Sequence, residues 1–205
     1  MAKEVVRMTM AKTDTGALRG LANSSESVRL QAALAIGTNP DPAFVDPLVE
    51  RCAIEPDFFV RDMLTWALTR HPASVTVPKL MAELSEERAQ ARSQALHTLS
   101  KIGDRQAWPA ITHALLTDAD DEVARSAWRA AVLLVPENEV EDLITVLASQ
   151  LGRGGRETWL SLSRALVALG DAILPTLRAA ATNADRRRHA AATERMLRDP
   201  DGRQG

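Results

Sequence analysis

Apolar positions in this chain recur every three or four residues within a series of short segments, and polar turns separate one segment from the next. The pattern is clearest over residues 89–116. Ala91, Ala95, Leu99 and Ile102 fall on one face of a predicted helix. Gly103 suits the left-handed residue that ends such a helix, and Asp104 suits the cap of the next. That second helix is expected to carry Trp108, Ile111, Leu115 and Leu116 inward. A helical pair of this kind buries its stripe only against copies of itself.

The copies are present. Val28, Ala32 and Ile36 form one stripe, with Ser25 as a candidate cap. Val60, Leu64 and Leu68 form another, closed by Pro72, and Val123, Ala127, Ala131 and Leu134 a third, capped by Asp120 or Asp121 and stopped by Pro136. Leu162, Leu166 and Leu169 repeat the pattern after the glycine-rich GRGG at 152–155. Shorter return helices lie between these, one opening at Asp41-Pro42 and another carrying Val77, Leu80, Met81 and Leu84. Val28, Val60, Ala91 and Val123 hold equivalent slots at spacings of 32, 31 and 32, and Pro47, Pro78 and Pro109 recur at 31 and 31 in the helices that follow. The Gly-Asp turns put Thr158 in the next slot, an interval of 35, so the later units drift. The fold class read from this is all-α, a tandem array of about five to six helical hairpins. Residues 1–13 and 198–205 are expected to be disordered tails around a single repeat domain over 14–197.

Composition agrees with close helix packing. Aromatic residues make up 3% of the chain and there is no Tyr, while 45% of the 205 residues are hydrophobic. Such a length buries roughly 70% of the unfolded surface without disulfides or metals. Cys52 is the single cysteine and reads as a small core residue. No apolar run reaches transmembrane length, and MAKEVVRMTMAKTDTG lacks the apolar core of a secretory signal, so a soluble, cytoplasmic protein with no membrane contact is expected. The net charge of −2 conceals an asymmetry: residues 1–150 carry 15 basic and 21 acidic side chains, residues 151–205 carry 10 and 6. An anionic partner is electrostatically favoured only at the C-terminal end.

The Val-Arg pairs followed by small residues, in SVRLQAALAIG and FVRDMLTWAL, with the related AQARSQALHTLSKIG and a Pro near the start of the next helix, resemble HEAT repeats. The short unit and its acidic turn are most similar to the HEAT-like repeats of phycobilin lyases. The resemblance spans about residues 14–197. It implies hairpins stacked into an α-solenoid, a right-handed superhelix whose second helices line a concave groove. The family's arginine ladder corresponds to Arg29, Arg61 and Arg92, and fails at Ala124 and Trp159. These arginines read as structural, since a guanidinium can tie its helix to a nearby carboxylate or carbonyl; Asp57 is the candidate partner of Arg61.

No residue set specifies a reaction. His71, His97, His113 and His189 lie in different units with no metal-ligand spacing, and neither a metal, a cofactor nor a catalytic residue is expected. On the groove-facing positions that the resemblance implies stand Phe59, Asp62, Trp66, Ser93, His97, Arg125 and Arg129, a mixture of aromatic and charged groups suited to protein binding. Arg153 and Arg156 around the GRGG loop, with Arg186, Arg187 and Arg188 on the last helix, form a candidate anion-binding patch. The expected function is therefore a non-enzymatic scaffold or adaptor holding another protein or a peptide. The alternative is a nucleic-acid-binding protein related to HEAT-like DNA glycosylases, which the acidic first 150 residues disfavour; a bilin lyase-like role ranks third.

Overall fold

The computed structural model describes residues 16–179 and 183–199, which form α-helices joined by short turns and 3-10 segments, with no strand among them. The expected tail at 1–13 lies outside these residues, as do 200–205 of the C-terminal tail, whereas Arg198 is still helical. The chain divides into two compact units, Met1–Ile102 and Gly103–Gly205. The boundary falls inside the helical pair at 89–116.

The first unit contains α1 (residues 16–21), α2 (Glu26–Thr38), α3 (Val45–Cys52), α4 (Phe58–Thr69), α5 (Ala73–Glu83) and α6 (Ala89–Ile102). Helices α2, α4 and α6 pack side by side in chain order, and α3 and α5 pack on each other and against that row. The periodic stripes explain the arrangement: Ala32 and Ile36, then Val60, Leu64 and Leu68, then Ala91, Ala95 and Leu99 are all buried between the layers. Val28 departs from its stripe and is 42% exposed. Helix α1 packs closely on α2, where a Cβ on Gly20 would lie 2.7 Å from that of Ala32. Ser25 occupies the cap position of α2 but makes no side-chain cap bond.

The second unit contains α7 (His113–Leu116), α8 (Asp121–Leu134), α9 (Val140–Ser149), α10 (Arg156–Val167), α11 (Leu174–Ala179) and α12 (Ala184–Arg198). Here α8, α10 and α12 form one row, with α7, α9 and α11 as the second layer. Val123, Ala127, Ala131 and Leu134 are buried, as are Leu162 and Leu166. Asp120 caps α8 by accepting from the Glu122 and Val123 N–H groups. The helix expected after Gly103 is instead a 3-10 segment, Arg105–Ala110, followed by the single turn of α7. Pro109 has no N–H to continue the first, and Thr112 starts the second by accepting from Leu115 N–H. Ile111, Leu115 and Leu116 still reach the core, whereas Trp108 is half-buried and donates its indole N–H to Glu139.

No single helix among the described residues is long and apolar enough to cross a membrane. One bent pair, Arg156–Val167 with Gly170–Ala179, has the length and composition, but it is broken by 120°.

Candidate functional site

The arginine ladder makes the same bond three times. Arg29 donates through Nη1 to the carbonyls of Asn23 and Ser24, Arg61 to those of Glu55 and Pro56, and Arg92 to those of Glu86 and Glu87. Each guanidinium thus reaches back five and six residues and ties the turn before its helix to that helix. Asp57, the expected partner of Arg61, accepts instead from Val60 N–H as the cap of α4. The residue missed in the sequence is Glu55, fully buried, which accepts from Arg29 and Arg51 and from the Asp57 N–H. Burial pushes its carboxyl up, but the hydrogen bonds from Arg29, Asp57 and Arg51 outweigh this and hold it at about 2.

Phe59, Asp62 and Trp66 share the exposed side of α4, at positions three and seven residues apart. Phe59 is 71% exposed and meets the equally exposed Phe58 edge to face, with ring centroids 5.6 Å apart. Trp66 is more enclosed because its ring lies over Gly37 of α2. Ser93 does not join this face: it is buried, and its hydroxyl donates to the Gln90 carbonyl. His97 is half-buried on α6.

Arg125 and Arg129 line a groove of about 620 Å³ between α8 and α10 in the second unit. The first turns of the two helices are joined there, since Arg125 Nη1 lies 2.8 Å from Glu122 and 3.2 Å from Glu157, and Thr158 donates to Asp121. Beyond that junction Arg129 and Leu133 line one wall, Leu160 and Arg164 the other. Leu133, one turn past Arg129, is 55% exposed. Partial burial, with Arg125 close by, lowers the affinity of the Arg129 guanidinium for its proton. Leu133 and Arg164 were not singled out from sequence, although continuing the Arg125–Arg129 spacing by four residues leads to Leu133.

The basic C-terminal residues are largely engaged with the protein itself. Arg153 bonds Asp121, Gln150 and the Asp118 carbonyl. Arg186 donates to the Ala148 and Ser149 carbonyls at the end of α9, and Arg188 pairs with Asp185. Arg156 and Arg187 are exposed. Gly152 N–H, one of the loop amides that could face an anion, donates to Nδ1 of the buried His189.

The remaining reactive groups are in structural settings. Burial pushes the Cys52 thiol up to about 12, so it is not a nucleophile at neutral pH. His71 is buried, with Nδ1 2.8 Å from the Ala67 carbonyl oxygen, and His113 is exposed. Among the described residues no three His, Cys, Asp or Glu side chains are placed to hold a metal.

No family model matches the chain, and no curated protein does. Among solved structures it is similar to a crystal structure of an engineered protein from the Northeast Structural Genomics Consortium. The TM-score is 0.50 at 16% identity, covering 90% of this chain and 98% of the other. That likeness bears on the fold alone and agrees with an all-helical, repeat-like chain.

Proposed function

We propose that the chain is a HEAT-like α-solenoid acting as a non-enzymatic scaffold that binds another protein or a peptide. The period of 31–32 residues, the alternating two-layer packing in each unit and the thrice-repeated arginine bond support the repeat reading. The observation that carries the binding reading is the α8–α10 groove, where an exposed Leu133 lies beside arginines from both walls. Apolar surface rimmed by charge, with Arg as an anchoring residue, is a common composition for recognising peptides. The test is selection of a randomised peptide library on the purified chain and on Leu133→Asp, with circular dichroism confirming that the variant keeps its helicity. Enriched sequences that bind the native chain and lose the variant are the expected outcome. Failure to enrich any such sequence overturns the reading.

A further inference from the structure

We propose that α12 is an acid-released latch: a proton taken up at Nδ1 of His189 frees α12 and the GRGG loop from α10, while the other helices of the second unit stay in place. The attachment is small. Helix α12 packs on α10 and α11, and the side chains it buries are His189, Ala190 and Thr193. So little apolar burial places it among the segments that open locally before a domain unfolds. His189 is the largest of the three and holds two other segments at once. Its ring stacks on Trp159 of α10, with Nε2 3.0 Å from the Trp159 carbonyl oxygen and 3.1 Å from the Ser163 hydroxyl, and Nδ1 accepts from the Gly152 N–H at 3.0 Å.

The geometry makes this attachment conditional on charge. A neutral imidazole has one donor and one acceptor nitrogen, and the site takes both, since the Trp159 carbonyl only accepts and the Gly152 N–H only donates. Imidazolium donates from both nitrogens. It therefore sets an N–H against the Gly152 N–H, and turning the ring over exchanges the nitrogens without removing the conflict. Among the described residues no carboxylate bonds the ring to offset the added charge. In the loop Arg153 is bound to Asp121 of α8, and on α10 Glu157 pairs with Arg125 while Arg164 lines the groove on the α8 side. On α12 Asp185 pairs with Arg188, and Glu194 is held by Arg178 of α11 and by Arg198. Arg186, Arg187 and Arg188 directly precede the ring and oppose further positive charge. Burial acts in the same direction, lowering the affinity of the ring for its second proton. The proton is accepted at the ordinary value of 6.5 only when α12 has opened and the ring is in water.

The test is amide hydrogen exchange on the full chain, read by mass spectrometry over a pH series above and below 6.5, with the intrinsic pH dependence of exchange divided out. Because only the opened state takes the proton, the opening constant of α12 is expected to rise by up to about tenfold for each pH unit below 6.5. Peptides covering α12 and residues 152–155 should share that rise, and those covering α8 and α9 should not. Nitrogen NMR of the histidine-labelled chain, with His189 assigned by its absence from His189→Gln, is expected to show Nδ1 without a proton at neutral pH and protonated where α12 loses protection. In His189→Gln the pH dependence of α12 exchange should vanish, whether or not the variant is looser at neutral pH. Protection of α12 that stays constant below 6.5 overturns the proposal, as does a loss shared equally with α8 and α9. A proton on Nδ1 at neutral pH, or an acid-dependent opening retained in His189→Gln, overturns it as well.

Discussion

Arg29 grips Glu55 with two parallel hydrogen bonds in the interior of the first unit, Nε to Oε2 at 2.7 Å and Nη2 to Oε1 at 2.8 Å. The same carboxylate accepts from Arg51 and from Asp57 N–H, so one side chain joins α2, α3 and the turn into α4. Replacing one member of a buried ion pair leaves the other charge uncompensated. Glu55→Gln is therefore expected to destabilise the fold by about 3 kcal/mol, read as a lower urea midpoint. The pH dependence has a definite sign. The folded carboxyl titrates at about 2 against an ordinary value of 4.5, so its contribution is complete above the higher value and is lost as pH falls toward the lower one. Acid titration of Glu55→Gln followed by circular dichroism should show a shallower loss of structure over that range than the native chain.

The backbone bonds of Arg61 and Arg92 predict a cost for removing either side chain. Arg61→Met and Arg92→Met each remove two hydrogen bonds from a guanidinium to backbone carbonyls. Three of these bonds are exposed and the one to the Glu55 carbonyl is partly buried, so a loss of at least about 1 kcal/mol is expected for each variant. Arg61→Lys should recover part of it, since an ammonium can reach a carbonyl but lacks the planar fork. Arg164 is exposed and makes no salt bridge among the described residues, so Arg164→Met serves as the control with an unchanged midpoint.

The contrast between the ladder and Glu55 shows what sequence periodicity can convey. Val28, Val60, Ala91 and Val123 announced the helix rows, and Arg29, Arg61 and Arg92 stood at a constant register, so a structural bond common to all three was legible. Glu55 belongs to no register: it occurs once, in a turn, and its importance arises from Arg29, 26 positions earlier, folding back onto it. The groove was partly legible for a similar reason. Arg125 and Arg129 lie on the polar side of the α8 stripe, but the opposite wall comes from α10, beyond the GRGG interruption that breaks the register. Ser93 shares its register with Asp62 and Arg125, yet its hydroxyl is short enough to bond its own helix backbone and stay buried.

Gly37 sets how closely α2 and α4 approach. A Cβ built there would stand 2.3 Å from Trp66 Cζ3 and 2.9 Å from the Ala67 Cα, so even one methyl group must displace both a ring and a backbone. Gly37→Ala would gain a little helix propensity at this position but suffer the larger steric penalty, giving a net destabilisation of about 1–3 kcal/mol. Trp66→Ala in the same chain should recover part of that loss by removing the ring contact, while the Ala67 backbone contact keeps the recovery incomplete. A double-mutant cycle by urea denaturation measures the coupling. Simple additivity of the two changes would show that the ring does not press on Gly37.

His189 links the GRGG loop to α10 and α12, and its hydrogen bonds dictate its charge. Gly152 N–H can only donate, so Nδ1 at 3.0 Å must present a lone pair, and Nε2 carries the proton toward the Trp159 carbonyl and the Ser163 hydroxyl. The ring also stacks on Trp159 with centroids 4.6 Å apart, the Thr193 hydroxyl donates to the His189 carbonyl, and Arg186 lies close to Gly152. Burial lowers its affinity for a second proton, and the bond to the Trp159 carbonyl opposes this only in part. A histidine whose folded value lies below 6.5 leaves stability unaffected above that pH. Below it the unfolded chain takes up a proton that the folded chain refuses, and stability falls until the folded value is reached. The urea midpoint is therefore expected to drop as pH falls below 6.5, and His189→Gln should flatten that slope while lowering the midpoint at neutral pH through loss of the stacked ring. A native slope that survives in His189→Gln would assign the acid sensitivity to another group.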